Sequence, residues 1–395
     1  MKRKTALLTA TLILLAGLSQ LKAQVDSINV VTTAVPFLRI SPDARAGGMG
    51  DLGVATSPDA NSSFFNLAKT PFTKSPYGVG LTYTPWLKDL GLNDVYLLSF
   101  AGYYKLDEQQ AISGSIRYFS LGNIQFTDGS GNELGTGRPR EFGIDGGYSR
   151  KLSDNMSIGI ALRFIHSNLV GNYTDQSNTY QAGNAVAGDL SFFYTGQNED
   201  GQGWNFGAAL SNLGSKIGYT RDATQKDFIP ANLGLGATYT KVFDETSKIE
   251  FGLDLHKLLV PTPPKLTGDV SSDSAKIADY RTKGVVGSWF SSFGDAPGGF
   301  GEEIREFQFS LGAEYSYNNQ FFARTGYFYE DKTKGNRKYF TVGLGIKYNV
   351  FGLNFSYLVP SGAGINRNPL SNTLRFGLIL DLDESAAGEA AEPIN

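Results

Sequence analysis

Three glycines near the N-terminus, Gly48, Gly50 and Gly53, have the spacing G-x-G-x-x-G that lets a loop bind the pyrophosphate of a dinucleotide. Such a site needs a buried strand before the loop and a helix that begins at it. Here Pro42 interrupts any central strand before the motif, and Pro58 prevents a long helix after it. We therefore expect no nucleotide site and no cofactor, and the glycines must serve tight turns instead.

Other residues that could do chemistry are equally isolated. Asp254 and His256 share one face of a predicted strand, but a histidine beside a carboxylate in polar surroundings is usually a satisfied pair. The stretch 128–135, DGSGNELG, begins like a calcium loop, yet Glu133 replaces its glycine and Pro139 its final glutamate, so we predict a hairpin loop. With no cysteine and no recognisable set of serine, histidine and carboxylate, the chain is predicted to have no metal site and not to be an enzyme.

The two ends of the chain have the sequence features of a signal peptide and of a disordered tail. Residues 1–23 show a basic start, an apolar run and small residues up to a predicted cut after Ala23, which is the pattern of a signal peptide. Its removal leaves a net charge of about −7, so no basic excess favours a nucleic-acid partner. Residues 384–395 are acidic and poor in apolar side chains, and we expect them to form a disordered periplasmic tail.

Between residues 76 and 383 the sequence alternates apolar residues with small or polar ones. Phe340 and Val342 fall on one face of such a segment, for example, and Thr341 and Gly343 on the other. This period of two predicts strands with a single apolar face. About fourteen segments occur, near 76–86, 94–105, 110–122, 139–150, 155–169, 184–195, 203–213, 228–241, 247–259, 304–316, 319–330, 338–348, 350–359 and 372–383. The predicted fold class is all-β, a transmembrane outer-membrane barrel of antiparallel strands.

The connections between these segments decide between a membrane barrel and a soluble sandwich. Short turns such as KLDEQ and KLSDN alternate with long stretches such as 123–138, 170–183 and 260–303. Outer-membrane barrels sort their loops in this way, and a soluble sandwich has no reason to. We therefore predict an outer-membrane location, with the short turns and both termini in the periplasm and the long loops outside the cell.

Charged residues on the small-residue face of the strands would lie inside the barrel. They include Arg163, Arg324, Arg375, Glu250 and Asp254. Such charges can pair with one another or with a plug. Residues 24–75 precede the first strand and consist of turns broken by glycine and proline, so we predict that they form this plug or hatch. The three glycines supply its turns, and Arg45 and Asp51 are its predicted contacts with the inner wall.

Four stretches carry a resemblance to known proteins: ARAGGMGDLGVATSPDA, YTPWLKDLGLNDVYL (83–97), HKLLVPTPP (256–264) and SWFSSFGDAPGGFGEEIREF (288–307). Over essentially the whole mature chain they resemble the PorV family of the type IX secretion system of the Bacteroidetes, with DAPGGF the most specific part. The N-terminal segment also resembles the hatch of the FadL-like fatty-acid transporters, fourteen-stranded barrels, although Leu67 replaces the proline of their Asn-Pro-Ala step.

The resemblance implies a role in protein export. PorV-like proteins associate with the giant translocon barrel and receive cargo by its C-terminal signal domain. They carry the cargo to the surface attachment complex, which contains a sortase-like transpeptidase. The alternative function is that of a FadL-like transporter of hydrophobic small molecules.

Aromatic residues gather in the loop 288–305, which the predicted topology places outside the cell. They are Trp289, Phe290, Phe293 and Phe300. Exposed aromatic side chains on a loop often mark an interaction surface, although these could also fold back into the barrel mouth. We expect this loop, together with Pro85 and Trp86 of the first long loop, to contact the translocon or the cargo signal domain.

Overall fold

The computed structural model describes residues 28–127, 129–170, 180–222, 225–359 and 370–382. The predicted signal peptide and the predicted C-terminal tail lie outside these residues. Most of the described chain forms strands that pair with their neighbours in the sequence, and the first strand also pairs with the last. The sheet is therefore closed on itself and has no free edge.

The barrel has fourteen antiparallel strands. They are β1 (Tyr77–Pro85), β2 (Val95–Lys105), β3 (Gln110–Leu121), β4 (Arg140–Lys151), β5 (Met156–Asn168), β6 (Gly183–Thr195), β7 (Gly203–Gly214), β8 (Asn232–Val242), β9 (Ser247–Leu258), β10 (Gln308–Tyr317), β11 (Phe321–Tyr329), β12 (Lys338–Tyr348), β13 (Phe351–Leu358) and β14 (Leu374–Leu382). Closure pairs Tyr77 of β1 with Leu382 of β14. The predicted fold class and number of strands are confirmed.

The two faces of each strand differ in polarity because successive side chains point to opposite sides. In β5, Leu162 is 66% exposed and the next residue, Arg163, is 2% exposed. In β12, Leu344 is 64% exposed and Thr341 is fully buried. Apolar residues thus cover the outside and polar residues line the inside, the reverse of a water-soluble protein and the arrangement that a lipid-facing barrel requires.

The connections are sorted by length between the two ends of the barrel, as predicted. At one end, here the short-turn end, they run from two residues (349–350) to seven (196–202). At the other, the long-loop end, they run from eight residues (330–337) to forty-nine (259–307). The tightest turn contains Asn349 at a φ of 50°, a left-handed conformation that asparagine adopts more readily than most residues.

Residues 28–76, the plug, precede β1 and pack inside the barrel. They contain one short helix, α1 (Ala44–Gly47), and single turns of 3₁₀ helix at Pro36–Arg39, Ser62–Phe64 and Leu67–Phe72. The Asp43 side chain caps α1 by accepting hydrogen bonds from the backbone N–H groups of Arg45 and Ala46. Turns rather than long elements follow from the glycines and prolines of this segment.

The plug runs through the lumen from one end to the other. At its start, the backbone N–H of Asn29 donates to the carbonyl of Thr333 at the long-loop end (3.0 Å). At its end, the Thr73 carbonyl lies 3.5 Å from Nζ of Lys105 at the short-turn end. The two termini, which were expected at the short-turn end, lie outside the described residues, and the first described residue, Ile28, lies at the long-loop end.

The longest connection, residues 259–307, covers part of the long-loop end and is called the cap. It contains three helices, α2 (Val270–Thr282), α3 (Val285–Ser291) and α4 (Phe300–Ile304), which the sequence patterns did not indicate. Asp269 caps α2 by accepting from the backbone N–H of Ser272 (2.7 Å). In the described part of the chain, no helix is long and apolar enough to cross a membrane.

Two small sheets extend from other long loops. Ile124–Thr127 pairs with Glu133–Gly137, so the hairpin predicted around residues 128–135 is present. Ile217–Gly218 pairs with Lys226–Asp227. Neither of these two sheets pairs with the strands of the closed barrel.

Candidate functional site

The plug and the wall approach each other through their backbones, which explains the glycines at this contact. Gly50 has a φ of 69°, and a Cβ there would lie 2.7 Å from the backbone nitrogen of Tyr327. A Cβ on Gly48 would lie 3.1 Å from the Cα of Gly343 in β12. On the wall side, a Cβ on Gly326 of β11 would overlap the plug backbone. Glycines, which have no side chain, occupy the positions where the two backbones meet.

Arg45 of α1 joins the plug to the wall through a buried charge network. Its Nε and Nη2 donate to the two carboxylate oxygens of Glu314 in β10, at 2.9 and 2.8 Å. Its Nη2 also lies 3.4 Å from Glu250 of β9, and its Nη1 2.8 Å from Asp59. Arg324 of β11 donates to the same Glu314 at 2.5 Å. Bidentate bonds between arginine and carboxylate are strong and directional, so this network fixes how the plug sits in the barrel.

Asp254 of β9 holds the plug at a second point. Its Oδ2 accepts from the backbone N–H groups of Gly53 (2.7 Å) and Val54 (2.9 Å), and the side chain is fully buried. The Nε2 of His256 lies 4.0 Å from Asp254, and its Nδ1 lies 3.2 Å from the Asn232 amide. Gly53, the last of the three spaced glycines, is therefore bound by a carboxylate of the wall.

Arg163 of β5 lies in a separate network along the wall. It donates to Asp145 of β4 and to Asp189 of β6, the latter at 2.9 Å. Arg117 of β3 lies 3.8 Å from Asp145 and donates to the backbone carbonyl of Leu38 in the plug (3.1 Å). Arg163 thus reaches the plug through neighbours, and Arg117 is the residue of this network that contacts it.

Asp51 and Arg375 make a further contact between the plug and the wall. The Oδ2 of Asp51 accepts from the Tyr339 hydroxyl of β12 at 2.6 Å. Its Oδ1 lies 3.4 Å from Nη2 of Arg375 in β14. The structure therefore brings Arg45 and Asp51 of the plug to the part of the wall that carries Arg324 and Arg375.

A modest cavity of about 120 Å³ lies between the plug and the wall. Its lining mixes apolar and charged side chains, among them Leu38, Phe64, Arg117, His256 and Arg337. Pockets that bind small molecules usually enclose about 300–1,000 Å³. This cavity is therefore small for a typical organic solute, and none of the described acidic or histidine groups forms a cluster that could hold a metal ion.

The cap is tied to the barrel rim by a second cluster of charges. Nζ of Lys257, at the end of β9, donates to Glu303 (2.7 Å) and Glu306 (2.8 Å). Nζ of Lys334, in the loop after β11, donates to Glu302 (2.7 Å) and Glu306 (2.9 Å). One lysine of β9 and one of the loop after β11 thus hold three glutamates at the C-terminal end of the cap.

These bonds change the acidity of the cap carboxyls. Burial alone would raise the pKa of Glu302, but hydrogen bonds from Lys334, Asn29 and Lys265 outweigh it and lower that pKa to about 2. Burial also acts to raise the pKa of Glu306, and its lysine and threonine partners lower it overall. Both groups are therefore ionised at neutral pH and bind their lysines as full charges.

Aromatic side chains stand out from the same cap. Phe290 of α3 is 75% exposed, Phe300 of α4 is 79% exposed and Phe293 between them is 47% exposed. Trp289, the fourth predicted residue, is half-buried. In helix α3 the buried residue is Ser288, and Phe290 lies on the exposed side. Three of the four aromatic residues thus present apolar surface at the long-loop end.

Pro85 and Trp86 differ from their expected place in an exposed loop. Pro85 is buried and is the last residue of β1, where it pairs with Tyr96. The Trp86 N–H donates to the carbonyl of Val95, and its ring packs against the apolar cluster around Phe37 of the plug. Pro85 lies within the predicted segment 76–86 and ends β1, so these two residues support the barrel mouth.

A closed fourteen-stranded barrel with an apolar outer face and a polar lumen is an integral protein of the outer membrane. The family model for the type IX secretion system protein PorV matches residues 22–265, more than half of the chain. The chain belongs to the PorV family and is an outer-membrane component of type IX secretion. No curated protein matches it.

Solved structures show the same fold at low sequence identity. The Ralstonia pickettii toluene transporter TbuX is 12% identical, with a TM-score of 0.50 over 85% of this chain and 96% of its own. The ΔS2S3 mutant of the monoaromatic hydrocarbon channel TodX is 10% identical, with a TM-score of 0.51 over 86% and 98%. A Pseudomonas aeruginosa FadL homologue is 12% identical, with a TM-score of 0.45 over 90% and 100%. The likeness to the first two structures concerns the fold and not the solute.

Proposed function

We propose that this barrel is a carrier in type IX secretion: it binds the translocon and the C-terminal signal domain of cargo, and delivers the cargo to the surface attachment complex. Family membership supports the secretion system as the setting. The cargo and the attachment step come from the resemblance to PorV-like proteins. The protein does no chemistry in this role and acts through its surfaces.

The exposed aromatic side chains of the cap are the observation that carries the proposal. Phe290, Phe293 and Phe300 lie on the face that the outer-membrane topology directs away from the periplasm. Exposed aromatic residues favour protein interfaces because they bury much apolar surface at a small cost in side-chain entropy. The lysine and glutamate cluster holds α4, which begins with Phe300, so part of this surface is already ordered.

The alternative, a transporter of hydrophobic small molecules, has the fold likeness to the toluene transporters in its favour. The lumen argues against it, since the plug is anchored by Arg45, Asp51 and Asp254 and leaves a cavity of about 120 Å³. A transport path would require the plug to leave these contacts. We therefore place the function on the outer surface of the long-loop end.

The test compares two variants of the full-length protein expressed in its native membrane. Phe290→Ala with Phe300→Ala removes the two most exposed rings of the cap. Phe243→Ala removes an exposed ring (61%) from the short-turn end and serves as the matched control. Retained heat-modifiable mobility in gels would show that both barrels still fold.

Partners are recovered by affinity purification and identified by mass spectrometry. We expect the wild type and the control to recover a large translocon barrel and cargo C-terminal domains. The cap variant should recover about tenfold less of them, since truncating an interface aromatic residue costs about 1–2 kcal/mol. Equal recovery by the cap variant, or recovery of the wild-type barrel alone with lipid in its lumen, would contradict the proposal.

A further inference from the structure

The first eight described residues, 28–35, form an extended strap across the long-loop end. The Asn29 side chain donates from Nδ2 to the carbonyl of Pro263 (3.2 Å) and to Oε1 of Glu302 (3.1 Å). Its backbone N–H donates to the carbonyl of Thr333. One residue of the strap therefore bonds the entry of the cap, helix α4 and the loop after β11.

Val31 places the strap in the apolar base of the cap. It is 6% exposed and packs in a cluster with Phe228, Leu258 and Val260. Two residues of the cap helices pack on this cluster, Tyr280 of α2 and Val285 of α3. Apolar burial of this kind is what holds a loop helix in place, because short helices are not stable alone in water.

Helices α2 and α3 have few other attachments to the barrel. Asp273 is the buried residue of α2, and it accepts bonds from Thr267 and Gly268 of the cap itself. Nζ of Lys216 donates to the carbonyls of Arg281 and Lys283, both at 2.7 Å. The position of these helices thus depends on the cluster around Val31 and on one lysine.

We propose that the strap keeps Ile28 exposed on the face that carries the long loops and holds the cap helices in the position from which their aromatic side chains bind a protein partner. The first half follows from the path of the plug. The second half rests on the proposed function. The plug, the strap and the cap then form one continuous structure from the lumen to the binding surface.

The location of the strap can be tested by labelling, because the natural chain contains no cysteine. Ile28→Cys is compared with Val286→Cys of α3 and Phe243→Cys of the short-turn end; their native side chains are 78%, 59% and 61% exposed. A maleimide that cannot cross the outer membrane is added to intact cells. We expect Ile28→Cys and Val286→Cys to react in intact cells. Phe243→Cys should react only after the outer membrane is permeabilised. Reaction of Ile28→Cys after permeabilisation alone would overturn the proposed location.

The role of the strap is tested by Val31→Ala, with Val30→Ala as the matched control outside the apolar cluster. Trypsin can cut at Arg281 and Lys283 between α2 and α3 when the cap opens. We expect cleavage there to be at least about fivefold faster in Val31→Ala, since cleavage follows the population of the open form. Partner recovery should fall about threefold or more, while the heat-modifiable mobility of the barrel stays unchanged.

The outcomes separate the strap from the proposed function. Equal cleavage of Val31→Ala and Val30→Ala would overturn the holding role. Faster cleavage with full partner recovery would overturn the link between the strap and binding. If the wild type recovers no partner, the proposed function fails, and with it the binding half, while labelling and cleavage still decide where the strap lies and what it holds.

Discussion

The plug and the cap differ from the usual distribution of side chains in opposite ways. In the plug, charged side chains such as Arg45 and Asp51 are buried, and each meets an oppositely charged or hydrogen-bonding group of the wall. In the cap, apolar side chains such as Phe290 and Phe300 are exposed. Buried charges make sense when they fix one part of a molecule against another, and exposed rings make sense when a partner covers them.

This difference in burial also predicts that substitutions in the plug affect stability and substitutions in the cap affect binding. Removing one member of a buried ion pair leaves its partner charged and unpaired in a region that water does not reach, which strongly destabilises a protein. Removing an exposed ring from the cap leaves nothing unpaired. Changes in the plug should therefore alter the folded barrel, and changes in the cap should alter what it binds.

The largest effect is expected for Arg45→Ala. It leaves Glu314, Glu250 and Asp59 without the cation they share. We expect a loss of about 3–5 kcal/mol in the stability of the plugged state, as for other broken buried pairs. Thermal unfolding in detergent, read by heat-modifiable mobility, measures it.

Two controls accompany this variant. Arg45→Lys keeps the charge but cannot form the fork of two bonds to Glu314, so it should restore part of the stability. Arg221→Ala removes an arginine from an exposed position and should leave the unfolding temperature nearly unchanged. If Arg45→Ala unfolds like Arg221→Ala, the network does not hold the plug.

The next effect concerns the closed lumen. In Gly326→Val the new side chain would occupy the space of the plug backbone at Gly50, so the plug must move. We expect the variant to conduct ions in planar bilayers, where the wild type should conduct weakly. Gly146→Val is the matched control, because a Cβ there meets no atom within 4 Å. Equal conductance of both variants would mean that the plug does not close the barrel.

These two regions also differed in how far the sequence could predict them. The strands and their inner charges follow from a local period of two, so Arg324 and Arg375 could be placed inside the barrel from their neighbours alone. The partners of the plug could not, because Arg45 and Glu314 are 269 positions apart and no local pattern sets their register.

The structure of the cap was even harder to predict from the sequence. Helix α2 is mostly polar and lacks the continuous apolar stripe that indicates a helix, and Asp269 before it is a local signal of its start. The position of Ile28 at the long-loop end could not be predicted for the same reason. A plug can enter a lumen from either end, and the contacts of Asn29 that decide the matter are with residues more than 230 positions away.

A smaller effect is expected when the cap is brought to acid pH. The lowered pKa values of Glu302 and Glu306 mean that their bonds to lysine contribute in full above the ordinary glutamate pKa of about 4.5. That contribution is lost as the pH falls from there toward the folded-state pKa of Glu302, about 2. A spin label at Ile304→Cys of α4, where the native side chain is 51% exposed, should therefore become more mobile between pH 4.5 and about 2, and stay unchanged from about pH 7 to 5.

A spin label at Leu152→Cys is the control, because it lies at the short-turn end, away from the cap. Glu302→Gln should reduce the acid response of the cap label and raise its mobility at neutral pH. A cap label that responds between about pH 7 and 5 would point to another titrating group.

The smallest effect is expected for Asp381→Asn at the short-turn end. Its carboxylate accepts from Lys347 at 2.5 Å, but the lysine side chain is 39% exposed and water competes for both charges. Exposed pairs contribute about 0–1 kcal/mol, so the unfolding temperature should hardly change. The comparison with Arg45→Ala is direct, since both changes break an ion pair and burial is the main difference between them. A loss for Asp381→Asn as large as that for Arg45→Ala would show that burial does not separate the plug from the rim.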